Sequence, residues 1–119
     1  YTTFEYSDLK VIPNTIKSQA DVHVSFTIKN TGQRAGDEVV QLYVKDEVSS
    51  VTTYDSQLRG FERIHLKPNE TKTVNFILHP DDLAILDKNM NWTVESGQFE
   101  VRIGASSEDI KLQEKFIVE

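Results

Sequence analysis

The chain has no cysteine. Disulfides, thiolate metal sites and cysteine nucleophiles are therefore excluded, while the compartment stays open. Apolar runs long enough to span a bilayer are also missing, since a spanning helix needs about 20 such residues. Basic charge is in the minority: 13 Lys and Arg against 19 Asp and Glu give a net charge of −6, with the signs interspersed. Such a surface argues against a nucleic-acid backbone or an anionic membrane as partner. The sequence contains no glycine-rich phosphate loop, internal repeat, low-complexity segment or linker. It starts at Tyr1 with neither Met nor a basic leader, so it is expected to be a fragment or processed product of a larger protein.

What is present is short alternation of apolar and polar residues. A chain of 119 residues suits one domain, here residues 1–119, and can bury roughly two thirds of its unfolded surface without staples. Its centre is the stretch from Asn30 to Lys45. Asn30, Thr31 and Gly32 are turn residues, with Gly36 a second permissive point, because Asn and Gly tolerate positive φ. Val40, Leu42 and Val44 then alternate with Gln41, Tyr43 and Lys45, which places one apolar row on one face of a sheet. Val22, Val24, Phe26 and Ile28 form a similar row just before it.

The remaining segments follow the same logic. Phe4 and Tyr6 change parity with Leu9 and Val11, which predicts a bulge or a solvent-facing pair in the first strand. Asp46 to Gln57 is polar and reads as a long loop. Leu58 and Phe61 are out of register around Gly60, where a bulge would bring both to one face. Lys67-Pro68-Asn69-Glu70 is a turn, and Val74, Phe76 and Leu78 a further apolar row. Pro80-Asp81-Asp82-Leu83 predicts a short helical turn. A short extended piece at Trp92, the row Phe99, Val101 and Ile103, and a last strand from Ile110 to Val118 complete about seven strands. The fold class is all-β, an antiparallel β-sandwich.

Residues with chemical potential have plain structural explanations. Asp81 and Asp82 read as favourable charge at a helix start, not as the carboxylate pair about 5–9.5 Å apart that glycoside hydrolysis needs. His23, His65 and His79 lack metal-ligand spacing and read as surface residues. No serine has a nucleophile-elbow context. The chain alone offers no catalytic, metal or cofactor site. Binding is the alternative: sandwiches of this size present aromatic rings to sugars, and Tyr43, Tyr54 and Trp92 are the candidates. Trp92 is expected to be a buried core anchor, given how strongly such rings are buried on average.

The motifs resemble a known family. Tyr1 to Leu9, the run Asn30-Thr31-Gly32 with Ala35-Gly36 and Glu38 to Val44, the run Leu58 to Arg63 with Leu66-Lys67-Pro68, and Trp92, Gly97, Phe99 to Gly104, Ser106-Ser107 and Asp109-Ile110 are similar, in order, to the C-terminal domain of family 3 glycoside hydrolases, the β-glucosidases and β-xylosidases. The resemblance implies an immunoglobulin-like, fibronectin type III-like sandwich without catalytic residues or cofactor. It implies as partners the upstream catalytic domains of the same polypeptide, where the family's aspartate nucleophile and acid/base lie. It also implies a periplasmic or secreted setting. Thr53-Tyr54 replaces the family's Arg-Pro pair, and Pro68-Asn69 its Pro-Gly turn. Expected interdomain contacts are Tyr1, Phe4, Tyr54 and Arg59. Oligosaccharide is the alternative partner, at Tyr43, Tyr54 or Trp92.

Overall fold

A computed structural model describes residues 3–17, 19–46, 57–86, 89–94, 96–106 and 108–119. The elements are β1 (Phe4–Ile12), β2 (Thr15–Ile16), β3 (Val22–Asn30), β4 (Gly36–Asp46), β5 (Gln57–Leu66), β6 (Thr71–Leu78), α1 (Pro80–Leu83), β7 (Ile85–Leu86), β8 (Trp92–Thr93), β9 (Gly97–Ser106) and β10 (Asp109–Val118). Seven strands run eight residues or more: β1, β3, β4, β5, β6, β9 and β10. They form two layers, a three-stranded sheet β1-β3-β6 and a five-stranded sheet β2-β10-β9-β4-β5, with β7 and β8 as a separate two-stranded ribbon. The pairing is antiparallel except for β2 on β10. The predicted all-β sandwich is the fold.

Alternation decides which side chains meet between the layers. Val22, Val24, Phe26 and Ile28 of β3 are 0–1% exposed, and so are Val40 and Leu42 of β4 and Phe99, Val101 and Ile103 of β9. Burying each such side chain stabilises the fold by about 1.5–3 kcal/mol. Aromatic pairs fill the middle: Phe99 stacks on Phe116 at 5.4 Å, and Phe26 lies between Tyr6 and Phe76. Tyr6 also joins the layers, because its hydroxyl donates a 3.1 Å bond to Glu38 of β4. Burial, reinforced by the charge of Glu38 and this bond, pushes the phenol far above its usual range.

The expected irregularities have physical forms. In β1 the register shifts between Ser7 and Lys10, and Asp8 takes a φ of 56°. That bulge lets Tyr6 and Leu9 both pack against the core. The second bulge lies where β5 passes β4: Leu42 faces Gly60, and Tyr43 faces Leu58, so Arg59 is the extra residue. It brings Leu58 and Phe61 to one face, and that face is outside. The turn after β3 departs from the expectation. Asn30, Gly32 and Gly36 do not take positive φ, whereas Asn69 does, at 65°. The chain turns at Asn30 through side-chain bonds: its carboxamide nitrogen donates to the carbonyls of Arg34 (2.8 Å) and Leu66 (3.0 Å), and its oxygen accepts from the N–H of Gly32 (2.8 Å). Asn30 is fully buried. The expected loop from Asp46 to Gln57 gives its end residues to β4 and β5. Its interior, 47–56, lies outside the described residues.

Candidate functional site

The expected contact residues fall in different places. Tyr1 and Tyr54 lie outside the described residues. Phe4 opens β1 opposite Asn30 and is half-buried against the core. At the other end of β3, Val22 pairs with Leu78, and α1 begins two residues further on. Arg59 meets α1, and Trp92 shares a cleft with it. The Nε of Arg59 donates to the Asp82 carbonyl at 2.8 Å, and its Nη2 donates to Gln57 at 3.0 Å. Much of this guanidinium is therefore engaged within the domain.

Trp92 corrects an expectation. It is 72% exposed, not buried. The physical reason is its position: β8 is two residues long and pairs only with β7, outside both sheets. The aromatic volume of the core comes from phenylalanines instead. Trp92 borders a cleft of about 240 Å³ with Gln19, Pro80, Asp81, Ala84, Thr93 and Val94. Asp82 beside it caps the helix, since its carboxylate accepts the N–H of His79 at 2.8 Å. The reading of this acid as helix-start charge holds, and the His79 ring meets Asp21 at 3.0 Å.

Tyr43 is a second correction. Its register places it on the outer face, as expected, yet it is only 8% exposed and so presents no ring to a sugar. Leu58 on β5 and Arg102 on β9 stand opposite it, and its hydroxyl donates to Gln41. Next to this group, Arg102 pairs with Glu100, whose side chain is 7% exposed. Sequence reasoning missed the exposed pair beside Tyr43, Leu58 at 47% and Phe61 at 70%. The signal was present: with Ile64 and Leu66 inside, parity puts Phe61 outside. The same face carries Asp37, which bonds Arg63 Nη2 at 2.7 Å and His65 Nδ1 at 2.5 Å across the β4–β5 pair. The bonds from His65 and Arg63 hold the Asp37 carboxyl below its usual range.

Among the described residues, no group of three or more His, Cys, Asp or Glu is placed to hold a metal ion. No helix there is long and apolar enough to cross a membrane. The arrangement consists of surfaces: an aromatic platform at one end, and an outer sheet face with apolar side chains.

Comparisons with known proteins place the chain in a family. The fibronectin type III-like domain model matches residues 38–107. Thermostable β-glucosidase B of Acetivibrio thermocellus is 46% identical over 115 residues, 96% of this chain and 15% of the relative. A β-xylosidase of Formosa agariphila is 47% identical over 93% of the chain and 16% of the relative. A periplasmic β-glucosidase of Salmonella typhimurium is 39% identical over 93% and 14%. Among solved structures, β-glucosidase 3B of Thermotoga neapolitana, in complex with glucose, superposes with a TM-score of 0.89 at 40% identity, over 99% of this chain and 16% of that one. The chain thus spans about one sixth of the length of the enzymes it matches. It belongs to the fibronectin type III-like domain family, in the form that β-glucosidases and β-xylosidases carry.

Proposed function

We propose that this chain is the C-terminal, non-catalytic accessory domain of a β-glucosidase-type glycoside hydrolase, and that it packs on the catalytic domains of the same polypeptide and stabilises them. The observation that carries this reading is coverage. Nearly the whole chain aligns, at close to half identity, with only 15–16% of the length of a β-glucosidase and a β-xylosidase. The setting is the periplasm or the exterior, in line with the periplasmic relative. The test is the size of the native polypeptide. An antibody raised against this domain, followed by mass spectrometry of the captured band, is expected to find a protein several domains long with glycosidase sequence upstream of Tyr1. A band no larger than 119 residues would overturn the reading.

The exposure of Trp92 supports a second reading, a glycan-binding module. An exposed indole in one cleft with Asp81, Gln19 and Thr93 has the residue types suited to one sugar ring, an apolar surface for its face and polar side chains for its hydroxyls. Trp92 is the single tryptophan of the chain, so its fluorescence reports on this site. Saturable quenching by gluco- or xylo-oligosaccharides would favour the module. The accessory reading predicts no saturable change.

A further inference from the structure

The two outer faces of the sandwich differ in chemistry. On the three-stranded sheet, the middle of the outer face consists of Ser25 and Thr27 of β3 facing Asn75 and Thr73 of β6, with Lys10 beside them on β1. That is a wet face, as expected for an antiparallel sheet with one solvated side. The five-stranded sheet is different. On β5, Leu58 and Phe61 stand next to each other across the bulge, opposite Tyr43 and Gln41, and Val39 lies diagonal to Phe61. Val39, Leu58 and Phe61 are 40%, 47% and 70% exposed, so three apolar side chains form one strip in water. Beside the strip, Tyr43 and the Arg102–Glu100 pair are already largely withdrawn from solvent on a face that no second layer of the described residues covers. Exposed aromatic and aliphatic anchors flanked by Tyr and a held Arg have the composition of an interface centre.

We infer that this strip, centred on Phe61 and Leu58, is the surface by which the domain docks onto the catalytic portion of its polypeptide. The inference rests on the accessory-domain reading and adds the face. The occupant follows from coverage: in the relatives, about five sixths of the polypeptide lies outside the segment that matches this chain, so a tethered partner is at hand at high effective concentration. A face with three adjacent exposed apolar side chains gains by being covered; on the opposite face the two exposed isoleucines, Ile12 and Ile77, stand apart on either side of His23, next to the hydroxyl-rich middle. Arg59, as the bulge residue, turns its guanidinium toward α1. This leaves Leu58 and Phe61 as the outward side chains at that point of β5.

Hydroxyl-radical footprinting of the full-length polypeptide tests the assignment, with labelling rates normalised to each side chain's intrinsic reactivity. Phe61 and Leu58 are expected to label several-fold more slowly than their exposure in the isolated domain would give, while Ile77, on the outer face of the three-stranded sheet, labels freely. In the full-length protein, Phe61→Asp is expected to restore labelling of Leu58 and lower the thermal midpoint, and Ile77→Asp to do neither. Free labelling of Phe61 with protection of Ile77 would overturn the inference while leaving the accessory reading standing. Free labelling of both would likewise overturn the inference and move the contact to an end of the sandwich. Protection of Phe61 that disappears on dilution would assign the face to a second copy, and protection that appears only with added oligosaccharide would assign it to a glycan. Either result overturns the inference. The footprint of the unaltered protein does not depend on whether the variants fold.

Discussion

At the scale of single residues, the buried carboxamide of Asn30 joins three segments: the end of β3, the following turn at Gly32 and Arg34, and the end of β5 at Leu66. Alanine at this position would leave the Leu66 carbonyl without this partner in a dry site, at roughly 1–3 kcal/mol, and turn the part-buried groups of Gly32 and Arg34 over to water. Asn30→Ala is expected to lower stability by about 2 kcal/mol in denaturant unfolding, on the cost of one buried unsatisfied group; a loss below about 1 kcal/mol, the worth of one ordinary hydrogen bond, would contradict the account. Tyr6 makes a pH prediction. Its folded-state pKa lies above the unfolded value of about 10. Its contribution is therefore complete below about pH 10 and is lost at higher pH, where the unfolded phenol ionises first. Tyr6→Phe is expected to be less stable at neutral pH by about 1 kcal/mol, through the lost bond to Glu38. Its stability is also expected to fall less steeply above pH 10, on the same unfolded value. Parallel pH profiles for the two proteins would refute this. The turn at Asn30 was legible from residue type, but for the wrong reason: hydrogen bonds, not positive φ, make it. Trp92 was read as buried and Tyr43 as exposed, because exposure depends on neighbours that only the register supplies.

At the scale of elements, the long strands were legible because their inner rows keep a period of two over eight or more residues. β3 follows it without interruption, and β1, β5 and the β9–β10 pair follow it around their register shifts. The short pieces β2, β7 and β8 have too few residues to carry a period. Two glycines test the packing of these elements. A Cβ on Gly104 would lie 2.3 Å from the carbonyl oxygen of Asp109, in the β9–β10 hairpin. A Cβ on Gly60 would lie 3.1 Å from the Phe76 ring, which is half-buried and can move. Gly104→Ala is expected to destabilise by about 1–3 kcal/mol, the range for forced overpacking, and Gly60→Ala by clearly less. Chemical denaturation of both variants checks the order, and a reversed order would show that the β5 bulge, not the hairpin, is the tighter approach.

At the scale of the whole molecule, the sandwich is a domain whose two outer faces differ in the make-up of their exposed side chains. The motif order across nearly the whole chain made the family legible. The docking face was not, because it depends on which way the Arg59 bulge directs Leu58 and Phe61. The central claim is that the domain stabilises catalytic domains to which it is joined. The most direct test is scanning calorimetry of the full-length polypeptide with and without this domain, together with glycosidase kinetics well below the transition. Docking predicts that removal lowers the midpoint of the catalytic portion by several degrees, since each kcal/mol lost shifts a domain of 150–250 residues by about 2–4 °C, while kcat/KM at low temperature is retained. An unchanged midpoint and unchanged kinetics on removal would contradict the account.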